Sequence, residues 1–186
     1  MRRLFLLAGA AMLAGCDFGT APANLASPEE RDDAAVEASG KAVSSYGNGV
    51  VTLESRGTVE ESVERVEKAL EDAGIALIAK VDHSANAGGV DLELAPATTL
   101  YFGKPEVGTH LMQQSPEAAL DLPQRMAIYQ DHDGRVIIAY NDPVWLATRH
   151  DVTGQEERLK NISSALETLA HAAAGTQKPA SKEKKK

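Results

Sequence analysis

A single cysteine stands in the 186 residues of this chain, at position 16. No second thiol exists to pair with it, so an internal disulfide framework and a multi-cysteine metal site are both excluded. Aromatic residues make up only 4% of the chain. A core must therefore be assembled from Val, Leu, Ile and Ala. Basic charge is scarce as well: 19 Lys and Arg face 27 Asp and Glu, a formal net charge of −8. Nucleic-acid partners are excluded on that balance, because phosphate contact needs a surplus of basic side chains. No apolar run reaches the roughly 20 residues that a membrane-crossing helix requires. The nucleophile-elbow serine, the zinc-protease histidine pair and the phosphate-cradling glycine loop are also missing. The sequence specifies no reaction, and no cofactor is predicted.

What is present begins at the N-terminus. Arg2 and Arg3 supply positive charge, Leu4 to Leu13 a short apolar core, and small residues lead into Cys16. These are the three regions of a secretory signal in order. Leu13-Ala14-Gly15-Cys16 resembles the lipobox of bacterial lipoproteins. That resemblance implies cleavage after residue 15 and acylation of Cys16, which would tie the protein to a bilayer and leave no free thiol. Two or three acyl chains hold a protein stably where one does not. Asp17 resembles an inner-membrane retention signal, so the expected location is the cell envelope, facing the periplasm, with the inner membrane favoured.

Residues 16–45 are rich in Ala, Pro, Ser, Asp and Glu and read as a flexible tether; 46–174 read as the folded domain, and 175–186 as a disordered, lysine-rich tail. Val50 to Arg56 alternates as a strand. Thr58-Val59-Glu60-Glu61 is a capping box, and Val59, Val63, Val66, Leu70 and Ala73 form one helical stripe over 59–73. Ile75 to Val81 and Thr98 to Phe102 read as strands, with a loop or single helical turn over Asp82 to Gly89. Residues 103–122 form a long excursion with one or two short helices. Arg125 to Gln130 and Arg135 to Tyr140 flank Asp131-His132-Asp133-Gly134, a hairpin signal. Val144 to Arg149 reads as a helical turn. Thr153-Gly154-Gln155-Glu156 reads as a second capping box, opening a helix striped by Leu159, Ile162, Leu166, Leu169 and Ala173. The order β-α-β-β-β-β-α predicts an α+β fold: a mostly antiparallel sheet with two long helices packed on one face. The opposite face is free for solvent, for a second copy or for the 103–122 segment, which is the reason to expect a homodimer.

Phe102-Gly103-Lys104-Pro105, Gly108-Thr109, Leu111-Met112, Leu120-Asp121-Leu122-Pro123, Asp133-Gly134 and Tyr140-Asn141-Asp142-Pro143 together resemble the domain-of-unknown-function family 302 (DUF302). The resemblance spans about Val50 to His150, with Lys104 where the family usually has asparagine. It implies a compact α+β fold and a tendency to dimerise, and it carries no reaction.

The candidate site residues are few. His83, which resembles the family's histidine after the second strand, follows Asp82. It is a candidate general base for a hydrolase or isomerase, paired with Asp82 or Glu93, or else a ring that pins its loop. His110, Met112 and His83 are able in principle to gather around a soft metal or haem iron, although no ligand spacing demands it. Asp91 and Glu93 alternate with Leu92 and Leu94, as paired carboxylates or as a solvated strand face. Tyr101, Tyr129 and Tyr140 sit in strands and, with His110, are candidates to line a ligand pocket, or they cover a sheet face. The leading expectation is a periplasm-facing lipoprotein whose domain binds a small molecule or an envelope protein.

Overall fold

Apolar spacing of two becomes strand and spacing of three to four becomes helix along most of this chain. The computed structural model describes residues 44–45 and 47–178. The signal segment, Cys16, Asp17, most of the 16–45 tether and residues 179–186 lie outside the described residues. The elements are β1 (Ser44–Ser45), β2 (Val50–Glu54), α1 (Val59–Asp72), β3 (Ala76–Asp82), α2 (His83–Gly88), β4 (Ala97–Gly103), α3 (Pro105–Gln114), a 3₁₀ turn (Pro116–Leu120), β5 (Gln124–Gln130), β6 (Val136–Asn141), α4 (Pro143–Arg149) and α5 (Glu156–Ala173). All strands join one antiparallel sheet in the order β1-β2-β6-β5-β4-β3. This is the α+β fold the patterning predicts, with β1 added to it and short helices in the 103–122 and 144–149 segments as expected.

Strand register explains the core. Val51, Tyr140, Met126 and Leu100 lie in one row across β2, β6, β5 and β4, and Leu53, Ile138, Ile128 and Thr98 in the next. All eight are buried. Because strand side chains alternate, they share one face. Both long helices cover it: α1 packs on α5 and on β3, β4 and β5, and α5 reaches β6. Val59, Val63, Val66 and Leu70 of α1 join Leu159, Ile162, Leu166 and Leu169 of α5 in the same apolar cluster. Each such aliphatic side chain contributes roughly 1.5–3 kcal/mol by leaving water.

The Thr58 capping box forms as predicted: the Thr58 hydroxyl accepts from Glu61 N at 3.2 Å, and the Glu61 carboxylate accepts from Thr58 N at 3.1 Å. The second box does not form. Helix α5 starts at Glu156 behind Gln155, with no side-chain cap. Gly154 has φ +67°, so the residue after Thr153 is left-handed and the helix begins only beyond it. The Asp82–Gly89 stretch is a short helix, α2, capped by the Asp82 carboxylate. Phe102 to Pro105 is a strand-to-helix junction, with Pro105 in the first turn of α3.

Edge strand β3 is largely exposed, with Lys80 tied to Glu67 of α1 at 2.7 Å. The start of the expected tail is held: Thr176 N donates to the His171 carbonyl, and Lys178 pairs with Glu167 at 2.8 Å. Among the described residues no helix is long and apolar enough to cross a membrane.

Candidate functional site: a groove and a buried charge cluster

A groove of about 980 Å³ lies between α3 and α5. Phe102, at the end of β4, is part of its lining. Val107, Leu111 and Met112 form the α3 wall; Ile162, Ala165, Leu166 and Leu169 form the α5 wall; Ile75, Ile78, Leu122 and Pro123 complete the lining. Gly108 gives the groove depth on the α3 side. A Cβ there would lie 3.6 Å from Leu122 Cδ1, and none is present to occupy that space.

Polar groups come from Lys104, Gln155, Glu156, Glu157, Arg158 and Asn161. Lys104 Nζ also donates to the Ala73 carbonyl at 3.0 Å, which ties the start of α3 to the C-terminus of α1, where a helix favours positive charge. Apolar walls with a few polar groups are the make-up of small-molecule sites, which commonly measure about 300–1,000 Å³. A smaller cleft of about 310 Å³ is lined by Glu60, Glu64, Glu67, Lys80 and Asp82 among others. No group of three or more His, Cys, Asp or Glu able to hold a metal occurs among the described residues.

The structure scatters the residues singled out from sequence. His83 is exposed, and its Nε2 lies 2.9 Å from Thr99 Oγ1, on the sheet face opposite the long helices. The Asp82 carboxylate is turned the other way, accepting from Ala85 N at 2.9 Å and from the Ser84 hydroxyl at 2.7 Å. The Ala85 hydrogen bond, then that of Ser84, holds its carboxyl below the usual range. Neighbours in sequence, His83 and Asp82 do not form a hydrogen-bonded pair.

The three tyrosines do not share a face. Tyr101 pairs with Arg125 and Tyr129 with Ile137, on the face away from α1 and α5. Tyr140 pairs with Met126 in the core, where burial first, and the carboxylates of Glu167 and Asp142 next, push its hydroxyl far above the usual value. His110 is exposed and off the groove wall, whereas Met112 is on it. Asp91 and Glu93 are exposed in a loop rather than in a strand, with Asp91 at φ +57°.

One constellation escaped the sequence reading. Asp121 is 4% exposed, and its carboxylate accepts from three side chains. His150 Nε2, itself buried, donates to Oδ2 at 2.7 Å; Arg149 Nη1 donates to Oδ2 at 3.1 Å; Arg125 Nη2 donates to Oδ1 at 2.7 Å. Burial alone would raise this carboxyl, but the His150 hydrogen bond and the guanidiniums of Arg149 and Arg125 outweigh it and hold it below the ordinary carboxylate range. The only signal in the sequence was the Leu120-Asp121-Leu122-Pro123 motif. Its partners lie as far away as position 150, beyond the reach of any local pattern.

Comparison with known proteins agrees with the fold. The chain is 38% identical over 129 residues to a protein of Brucella suis biovar 1 (strain 1330) named fluoride-specific ion channel FluC 1, covering 69% of this chain and 51% of that protein. A Brucella abortus biovar 1 (strain 9-941) protein of the same name matches at the same identity, with 48% of its length covered. The chain thus spans about half the length of these curated relatives. A crystal structure of an uncharacterized conserved DUF302 protein from Bacillus stearothermophilus superposes with a TM-score of 0.60 at 17% identity, covering 67% of this chain and 98% of that one. The sequence profile of the domain of unknown function DUF302 matches residues 51–169. With that span resting on the sheet, helices and motifs described above, the chain belongs to the DUF302 family.

Proposed function

We propose that this protein is a membrane-anchored periplasmic lipoprotein whose domain binds a small molecule with a largely aliphatic body in the groove between α3 and α5. The observation that carries the reading is the groove: about 980 Å³, walled by Val, Leu, Ile and Met side chains, with charged groups among its lining. A preformed apolar concavity of this size excludes water from an aliphatic ligand, and burial of apolar area is the main driving force available to it. The pairing of His83 with Asp82 that an acid–base enzyme would need has no support in the geometry, since both groups are engaged elsewhere.

The test is saturable binding of the apolar dye N-phenyl-1-naphthylamine to the full chain. Ala165→Phe places a ring in the groove from the α5 side, at a position that is otherwise exposed. Dye affinity then falls at least about tenfold with the helical circular dichroism intact, as expected when the apolar volume is filled. Dye binding that Ala165→Phe leaves untouched defeats the reading.

Anchoring through acylated Cys16, with Asp17 favouring the inner membrane, belongs to the same proposal. Mass spectrometry of the protein from its host tests it, and an unprocessed N-terminus counts against it. A homodimer is supported by the outer sheet face, where Ala97, Ala127, Ala139 and Ile137 are only partly exposed and, among the described residues, no long helix packs. Light scattering on the purified protein that gives a monomer mass at high concentration removes the dimer.

A further inference from the structure

We propose that Arg125 and Arg149 form a second binding site, separate from the groove, for the phosphate or phosphodiester group of a ligand. The two guanidiniums bond the two oxygens of one carboxylate, Oδ1 from Arg125 and Oδ2 from Arg149, so their charged ends are held within a few ångström of each other. That carboxylate is fixed in its turn. Asp121 is buried, and the His150 hydrogen bond clamps it from the end of α4.

The charges do not balance. Two guanidiniums meet one carboxylate, and among the described residues neither reaches another. One positive charge is left over, on a chain whose formal net charge is −8. The arginine side chains are 39% and 47% exposed, so the surplus charge faces water while the base of the cluster does not. Arg125 reaches both Asp121 and the Leu120 carbonyl through Nη2 alone, and Arg149 reaches Asp121 through Nη1 alone. Each guanidinium has five N–H donors in a rigid fork, so each retains donors for a further acceptor.

A tetrahedral oxyanion presents several acceptor oxygens at once and can take a charge-assisted hydrogen bond from each arginine. Because Asp121 already holds the arginines in place, little side-chain freedom remains to be lost on binding. Trp145 packs under the Arg149 guanidinium, 5.6 Å from ring centroid to Cζ, and steadies that side chain further.

The phosphate can belong to a soluble molecule or to a lipid headgroup, and one experiment separates the two. Trp145 is the only tryptophan in the chain, so its emission reports on the Arg149 side of the site. The full chain is placed in dodecyl maltoside micelles, which carry no phosphate, and titrated with inorganic phosphate at constant ionic strength. The emission is also recorded in phosphatidylglycerol vesicles. Saturable quenching or shift by phosphate in the micelles assigns the site to a soluble phosphate. A shift in the vesicles relative to the micelles, with no response to phosphate in the micelles, assigns it to the headgroup.

Arg125→Gln does not touch Trp145 and weakens either response at least about tenfold, the scale of one lost charge-assisted hydrogen bond. Arg125→Lys keeps the charge, loses the fork and falls between the two. No response in either medium, or a response that Arg125→Gln leaves unchanged in a protein of native circular dichroism, overturns the proposal. Neither outcome bears on dye binding in the groove.

Discussion

Removing the Asp121 carboxylate should cost this protein a large share of its stability, and the size of the loss follows from the burial of its partners. In Asp121→Ala the His150 ring stays buried, 3% exposed at its side chain, and loses the acceptor 2.7 Å from Nε2. A hydrogen bond to a charged group contributes about 1.5–3 kcal/mol, and its loss leaves a buried polar atom unsatisfied. The two arginines behave differently. Their side chains are 39% and 47% exposed, so water takes over when the carboxylate goes, and each pair counts for only about 0.2–1 kcal/mol. The expected loss is about 2–4 kcal/mol. At a urea dependence of about 1–3 kcal/mol per molar, the midpoint falls by roughly 0.7–4 M. Urea unfolding of the full chain, followed by Trp145 fluorescence, measures it.

The pH dependence supplies a second check on the same group. The folded carboxyl sits below its ordinary value of 3.8. Its ionised form therefore adds stability that is complete above the unfolded value and is lost as pH falls through the folded one. The difference between wild type and Asp121→Ala is flat above about pH 5 and shrinks on acidification below about pH 4. A midpoint unchanged by the substitution, or a difference that stays constant into strong acid, would refute this reasoning.

Three further substitutions probe the scaffold. Gly49→Ala drives a Cβ into the Trp145 ring at Cδ2, on a residue held at φ +78°. The left-handed backbone and the displaced ring together cost about 3 kcal/mol or more, read as a fall in urea midpoint. Thr58→Ala removes the hydroxyl that accepts from Glu61 N at 3.2 Å and costs about 1 kcal/mol by the same assay, while Thr58→Ser restores most of it. Gly108→Ala runs the other way. The added methyl meets only Leu122 Cδ1 at 3.6 Å and Met112 Cε at 4.0 Å, which is ordinary contact inside α3. Thermal unfolding should show a gain of about 0.5–1 kcal/mol.

Local periodicity carried the architecture because burial in this fold repeats with the period of each element. The stripe Leu159, Ile162, Leu166, Leu169 and Ala173 is visible in sequence and is buried in α5. The start of that helix was misread because a Thr-x-x-Glu pattern says nothing about Gly154, whose positive φ postpones the helix to Glu156. The tyrosines were misread for a different reason. Which face a strand residue occupies depends on register, and register is set across the hairpin. Met126 opposite Tyr140 and Tyr129 opposite Ile137 pair even with even and odd with odd numbers. Tyr140 therefore turns to the core and Tyr129 away from it. The groove needed tertiary structure altogether, since α3 and α5 meet there from distant parts of the chain.

The segment from Leu120 to Arg125 shows why the most informative motif in the sequence was also the hardest to interpret. The chain leaves a 3₁₀ turn at Leu120, passes Asp121 at φ −108° and ψ 3°, and becomes a strand only from Gln124. Leu122 and Gln124 line the groove, while Asp121 and Arg125, one position away from each, meet the end of α4 in the charge cluster. Leu122 is apolar because it borders an aliphatic cavity, and Asp121 is acidic because it holds a histidine and two arginines in place. Proline between Leu122 and Gln124 contributes a rigid wall without asking for a backbone donor. Read as a linear string, Leu-Asp-Leu-Pro mixes the requirements of two sites into one motif. The structure separates them by side-chain direction, so substitutions at 121 and 122 act on different surfaces although they are neighbours in the chain.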